Sequence, residues 1–105
     1  MAIQQQEIPV YTHDPDSRKD YTVDWGDFLK PQLENEAADA LIDARWTVPE
    51  GVTIEDARFD DRYSTVWVTV AGVAGAARLY DLTVHVVTRE GREEDQTIRL
   101  RIRQK

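Results

Sequence analysis

With 105 residues, 41% of them apolar, the chain has the size of one domain and enough apolar material for an ordinary core. Its 13 basic and 20 acidic side chains give a formal charge of −7, which repels phosphate backbones, so nucleic acid is not an expected partner. The absence of cysteine excludes disulfides and thiolate metal sites. No apolar run approaches the length of a membrane-spanning helix, so no membrane partner is expected either.

The opening Met1-Ala2-Ile3-Gln4-Gln5-Gln6-Glu7 has neither the basic region nor the apolar stretch of a signal peptide, and synthesis in the cytoplasm is expected. Residues 1–19 contain Pro9, Pro15 and a polar run from His13 to Lys19. They read as an N-terminal arm or loop, with room for one additional strand, or as a frayed terminus. The domain proper is expected over residues 20–105.

From Asp20 the pattern is strand-like. Tyr21, Val23 and Trp25 alternate with Thr22 and Asp24, and Gly26 ends the run. Pro31 to Ala44 is rich in Glu, Ala and Leu, which favours a helix. Against that, Ala40, Ile42, Ala44, Trp46 and Val48 alternate without a break. The reading is a strand from about Ala38 to Val48, preceded by a loop or a single helical turn. Pro49-Glu50-Gly51 is a turn, since proline presets one backbone angle and glycine accepts a positive φ.

Val52 and Ile54 begin the next strand, and Ala57 and Phe59 fall on the opposite parity, so a bulge near Asp56 is expected to turn them inward. Asp60-Asp61-Arg62 turns the chain into a Val-, Thr- and Trp-rich strand from Ser64 to Ala71. The small residues Ala71 to Ala77 suit a loop. Leu79 to Arg89 is a strand with Tyr80, Leu82, Val84 and Val86 on one face, and Arg89-Glu90-Gly91-Arg92 is a hairpin turn. In the last strand, from about Glu94 to Arg103, Ile98, Leu100 and Ile102 oppose Arg99, Arg101 and Arg103. Six or seven short antiparallel strands joined by tight turns predict an all-β sandwich or small barrel.

Three segments carry a resemblance: Asp14-Pro15-Asp16-Ser17-Arg18-Lys19-Asp20-Tyr21-Thr22-Val23-Asp24-Trp25, then Trp46-Thr47-Val48-Pro49-Glu50-Gly51-Val52, and the ending in which Gly91 precedes an Arg/Ile-alternating strand. In this ordered set the chain resembles the phage fibre-tail adaptor family, over about residues 14–103. The stretch Lys30 to Asp39 departs from it, being longer and more helix-prone. The resemblance implies an immunoglobulin-like sandwich located in the virion tail, contacting other tail and fibre proteins in several symmetric copies.

Little in the chain points to catalysis. Ser17 and Ser64 lie outside any glycine-rich elbow, and no phosphate-cradling glycine loop is present. His13 and His85 are too few and too far apart for a metal cluster, and His85 is expected on the outer face of its strand. The acidic pairs Asp14/Asp16, Glu55/Asp56 and Asp60/Asp61 and the run Glu93-Glu94-Asp95 sit at turns or strand ends, where they aid solubility. No metal and no cofactor is expected, and the chain reads as a non-enzyme.

Binding residues are better supported. If Val66 and Val68 point inward, Trp67 points outward, where it could anchor a partner; alternatively Thr65, Trp67 and Thr69 form the inner face, or Trp67 packs under the following loop. Arg99, Arg101 and Arg103, with Lys105, form a basic stripe that either pairs with nearby carboxylates or docks an acidic neighbour. Tyr11 in the arm is a further interface candidate. Other readings are a capsid decoration or head–tail joining protein, and an accessory carbohydrate- or peptide-binding immunoglobulin-like module.

Overall fold

The computed structural model describes residues 8–15, 17–31, 37–71 and 78–103. There are seven strands, β1 (Val10–His13), β2 (Lys19–Asp24), β3 (Leu41–Thr47), β4 (Val52–Phe59), β5 (Tyr63–Val70), β6 (Arg78–Thr88) and β7 (Glu93–Ile102), and short turns join β3 to β4, β4 to β5 and β6 to β7. One helical turn, α1 (Gly26–Leu29), follows β2. The strands form a four-stranded sheet in the order β1-β7-β6-β3 and a three-stranded sheet in the order β2-β5-β4. The expected sandwich is therefore present. All pairings are antiparallel except β1 with β7, which run parallel. The seventh strand thus comes from within residues 1–19 and occupies a sheet edge.

Alternation builds the core where it is cleanest. Val66, Val68, Leu82, Val84, Val86 and Leu100 have no exposed surface, and Ile98 and Ile102 join them. Two apolar clusters result: one between β5 and the β6–β7 hairpin, the other around Trp25, Leu29, Leu41, Val84 and Val86. Trp46 packs against both. The turns use the glycines as expected: Gly51 and Gly91 have φ of 97° and 88°. A Cβ at Gly51 would also stand 3.3 Å from the Tyr80 hydroxyl. At the Asp60 turn, one carboxylate oxygen accepts the amides of Arg62 and Tyr63, which holds the Asp60 carboxyl below its usual range.

Two expectations about parity need correction. In β3 a register shift between Leu41 and Asp43 buries Leu41 and leaves Ile42 56% exposed, so Ile42 does not share the inward face of Ala44 and Trp46. In β4 the expected bulge lies between Ile54 and Asp56 and does turn Ala57 and Phe59 to the inner side, opposite Val66 and Ser64. Yet Ala57 is exposed and Phe59 is 44% exposed, because β4 is the edge of its sheet and its far half is uncovered. The single helical turn comes earlier than the stretch read as helix-prone. Residues 32–36 of that stretch, and the loop expected over 71–77 apart from Ala71, lie outside the described residues.

One end of the sandwich is closed by a buried carboxylate. The Asp39 side chain is 1% exposed and lies 3.2 Å from Arg92 Nε. Asp39 accepts the amides of Ala40 (2.9 Å) and Glu90 (3.2 Å) and the Thr88 hydroxyl. Burial alone would raise its pKa; these four donors outweigh burial and lower it. The approach to β3 is thereby tied to the β6–β7 hairpin, as the Arg89 amide on the Ala40 carbonyl also shows.

Candidate functional site

The outer face of the four-stranded sheet has two electrostatic ends. At one, Arg99 lies between Val10 on β1 and Asp81 on β6, and its guanidinium grips the Asp81 carboxylate with two bonds of 2.7 and 3.2 Å. The pairing holds Asp81 below its usual pKa. Arg101 lies between Thr12 and Leu79, neither of which offers a charge. Arg101 and Arg103 are exposed and make no ion pair among the described residues. Leu79 and Val10 beside them are 55% and 52% exposed. The stripe is therefore divided: Arg99 is neutralised, while Arg101 and Arg103 form a cationic rim with an apolar border.

At the other end, His85 reaches between Glu93 (2.8 Å) and Asp95 (2.5 Å), facing outward as its register predicts. Hydrogen bonds to Asp95 and then Glu93 raise its pKa. Arg45 is its neighbour on β3, where it pairs with Asp43.

Trp67 is outward on β5, since Val66 and Val68 on either side are fully buried, and its inner-face alternative does not hold. It is half-buried, with the Arg18 guanidinium 4.7 Å from its ring centroid. Tyr11 is 40% exposed, but its ring packs against Tyr21, tilted by 45° with centroids 5.2 Å apart, at the side where β1 meets β2. The five candidates are not one site. Arg99, Arg101 and Arg103 share a face; Tyr11 sits on the flank beside them, and Trp67 is on the opposite sheet.

Sequence reasoning did not single out two features. His13 is fully buried, with Nδ1 2.7 Å from the Tyr21 hydroxyl and Nε2 2.9 Å from the Ser17 carbonyl. A carbonyl can only accept, so Nε2 carries the proton and Nδ1 accepts from Tyr21. Burial lowers the His13 pKa despite the Ser17 carbonyl, and burial pushes Tyr21 up to about 12. The second is the apolar rim of β3 and β4, where Ile42, Ile54 and Phe59 are 56%, 36% and 44% exposed. The β4 bulge was legible as a change of parity, but the register shift that exposes Ile42 and the uncovered edge that exposes Ile54 and Phe59 were not.

The acidic pairs that lie within the described residues serve local structure. Asp56 pairs with Arg58, Glu55 accepts the Thr69 hydroxyl and Asp60 caps its turn. Among the described residues no group of three His, Cys, Asp or Glu is placed to hold a metal ion.

No curated protein matches the chain. The profile of one family does, described as the podophage GP4 fiber-tail adaptor protein gp77, and it aligns with residues 13–101, from the buried His13 through nearly all of β7. That span includes β2 through β6 complete, and so both faces of the sandwich. A structural role in a phage tail follows, and the chain belongs to the podophage fiber-tail adaptor family.

Proposed function

We propose that the protein links a tail fibre to the tail by contact alone, using opposite flanks of the sandwich for its two neighbours, in several symmetric copies per virion. The observation that supports this reading is the chemical difference between the flanks. On the β1–β7 side, Arg101 and Arg103 make no ion pair among the described residues and lie beside exposed Val10 and Leu79. On the β3–β4 side, Ile42, Ile54 and Phe59 are exposed along strands that end their sheets. A cationic rim suits an acidic neighbour and an apolar strand edge suits an extended or apolar one. Two unlike surfaces on one rigid body are what a bridge between unlike proteins requires.

The test is binding of the purified chain to separately prepared tails and fibres. Arg101→Glu with Arg103→Glu should weaken one partner at least tenfold, with a steeper effect at low salt, and leave the other unchanged. Phe59→Asp should do the converse. Failure of the native chain to bind either preparation, or loss of both partners with one variant, would contradict the bridge.

A further inference from the structure

Trp67 lies in the middle strand of the three-stranded sheet, and the register sets a carboxylate on each side of it. Asp20 on β2 and Asp56 on β4 are its direct cross-strand partners, so all three side chains leave the sheet on the same outer face. Asp56 is drawn towards Arg58, with Oδ2 2.8 Å from Nε. Asp20 makes no hydrogen bond or ion pair among the described residues. The Arg18 guanidinium covers the ring at 4.7 Å and donates no hydrogen bond to either carboxylate among the described residues. Arg18 is itself exposed and belongs to the short connection entering β2. Stacking on Trp67 is thus the one side-chain contact of Arg18 among the described residues.

We propose that Trp67, Asp20 and Asp56 form a docking site for an arginine side chain of a partner protein, and that Arg18 fills this site in the free chain. An indole face attracts a cation through its quadrupole, and a planar guanidinium stacks on it better than a compact ammonium does. An incoming arginine has what Arg18 lacks, namely an approach from outside the sheet that lets it stack and bond a carboxylate at the same time. Arg18 shows that the ring accepts a guanidinium and Asp20 leaves an acceptor open beside it. Displacing Arg18 offsets part of the gain, so the site favours a partner whose arginine is held rigidly in place. The proposal concerns the three-stranded sheet and does not depend on the flanks assigned to tail and fibre.

The experiment uses the full chain and a capped tetra-arginine peptide, with a capped tetra-lysine peptide as comparison. Affinity is measured by calorimetry, and the Trp67 indole N–H is followed by NMR. The expected results are a shifted Trp67 indole signal, at least threefold tighter binding after Arg18→Ala, and at least threefold weaker binding after Asp20→Asn. Trp67→Ala should weaken the arginine peptide about tenfold, and the lysine peptide should bind the native chain more weakly than the arginine peptide. Binding that is indifferent to Trp67→Ala and Asp20→Asn would mean that the acidic chain gathers the peptide by net charge alone, and would overturn the proposal. So would an Arg18→Ala variant that binds no tighter than the native chain.

Discussion

Replacing Asp39 with alanine is expected to destabilise the protein by roughly 3–5 kcal/mol, the scale for breaking a buried charge pair from one side. The carboxylate is almost completely enclosed and serves four donors at once. Its removal leaves the Glu90 amide, the Thr88 hydroxyl and the Arg92 guanidinium without their shared acceptor. The fold would lose the strap between the start of β3 and the β6–β7 hairpin. Asp39→Asn should fall between native and alanine, because an amide retains one acceptor oxygen but turns a donor towards Arg92 or a backbone amide. Urea unfolding at pH 7 reads both as lowered midpoints with unchanged slope. The sign of the pH effect follows from the lowered pKa: the stabilisation is complete above the ordinary carboxylate range and is lost as acid protonates the group.

The second large effect centres on His13. Its folded pKa lies below the ordinary value of 6.5 because burial disfavours the cation. Below about pH 6.5 the unfolded chain gains a proton that the native chain still refuses. The native state therefore loses stability as pH falls from above 6.5 towards the lowered value. Protonation would also put an N–H on Nδ1, where the Tyr21 hydroxyl now donates, and that bond would have to reverse. His85 works in the opposite direction: its raised pKa favours the folded state below 6.5, and that support fades as pH rises through the folded value. Because His85 is exposed and screened, the His13 slope should dominate. His13→Ala should cost roughly 2–4 kcal/mol at pH 8, through the cavity and the unpaired Tyr21 hydroxyl. It should also flatten the urea midpoint between pH 8 and pH 5.5. A His13→Ala variant with native stability and native pH slope would show that the β1–β2 junction does not depend on this ring.

The central strands could be read in the sequence because each is half-buried and uninterrupted. Leu82, Val84 and Val86, and Ile98, Leu100 and Ile102, alternate with polar residues and all point inward. Edge strands were less legible. Ile42 and Phe59 look like core residues in the sequence, and a bulge or an uncovered edge exposes each of them. The β4 bulge announced itself by a change of parity, whereas the β3 shift leaves the alternation Ala40, Ile42, Ala44 unbroken, and coverage of an edge depends on how far the other sheet extends. Asp39 was hidden by its setting in a helix-prone stretch, and its partners are about fifty residues away in Thr88, Glu90 and Arg92. His13 likewise resembled part of a polar run, although its buried ring bonds Tyr21 and the Ser17 carbonyl and so ties β1 to β2 and their connection.

Among the interface candidates, alternation was enough to orient Trp67 and the arginines. It could not show that Asp81 neutralises Arg99 while Arg101 and Arg103 have no ion pair among the described residues, since that depends on cross-strand register. The same register brings Asp20 and Asp56 to the sides of Trp67.

The most direct measurement is a reconstruction of the intact phage particle at a resolution that traces this chain. Density for the sandwich is expected between tail and fibre base, with the Arg101–Arg103 rim against one neighbour and the Ile54–Phe59 edge against the other. A chain found on the capsid shell, or on the tail with both of these flanks bare to solvent, would contradict the bridge.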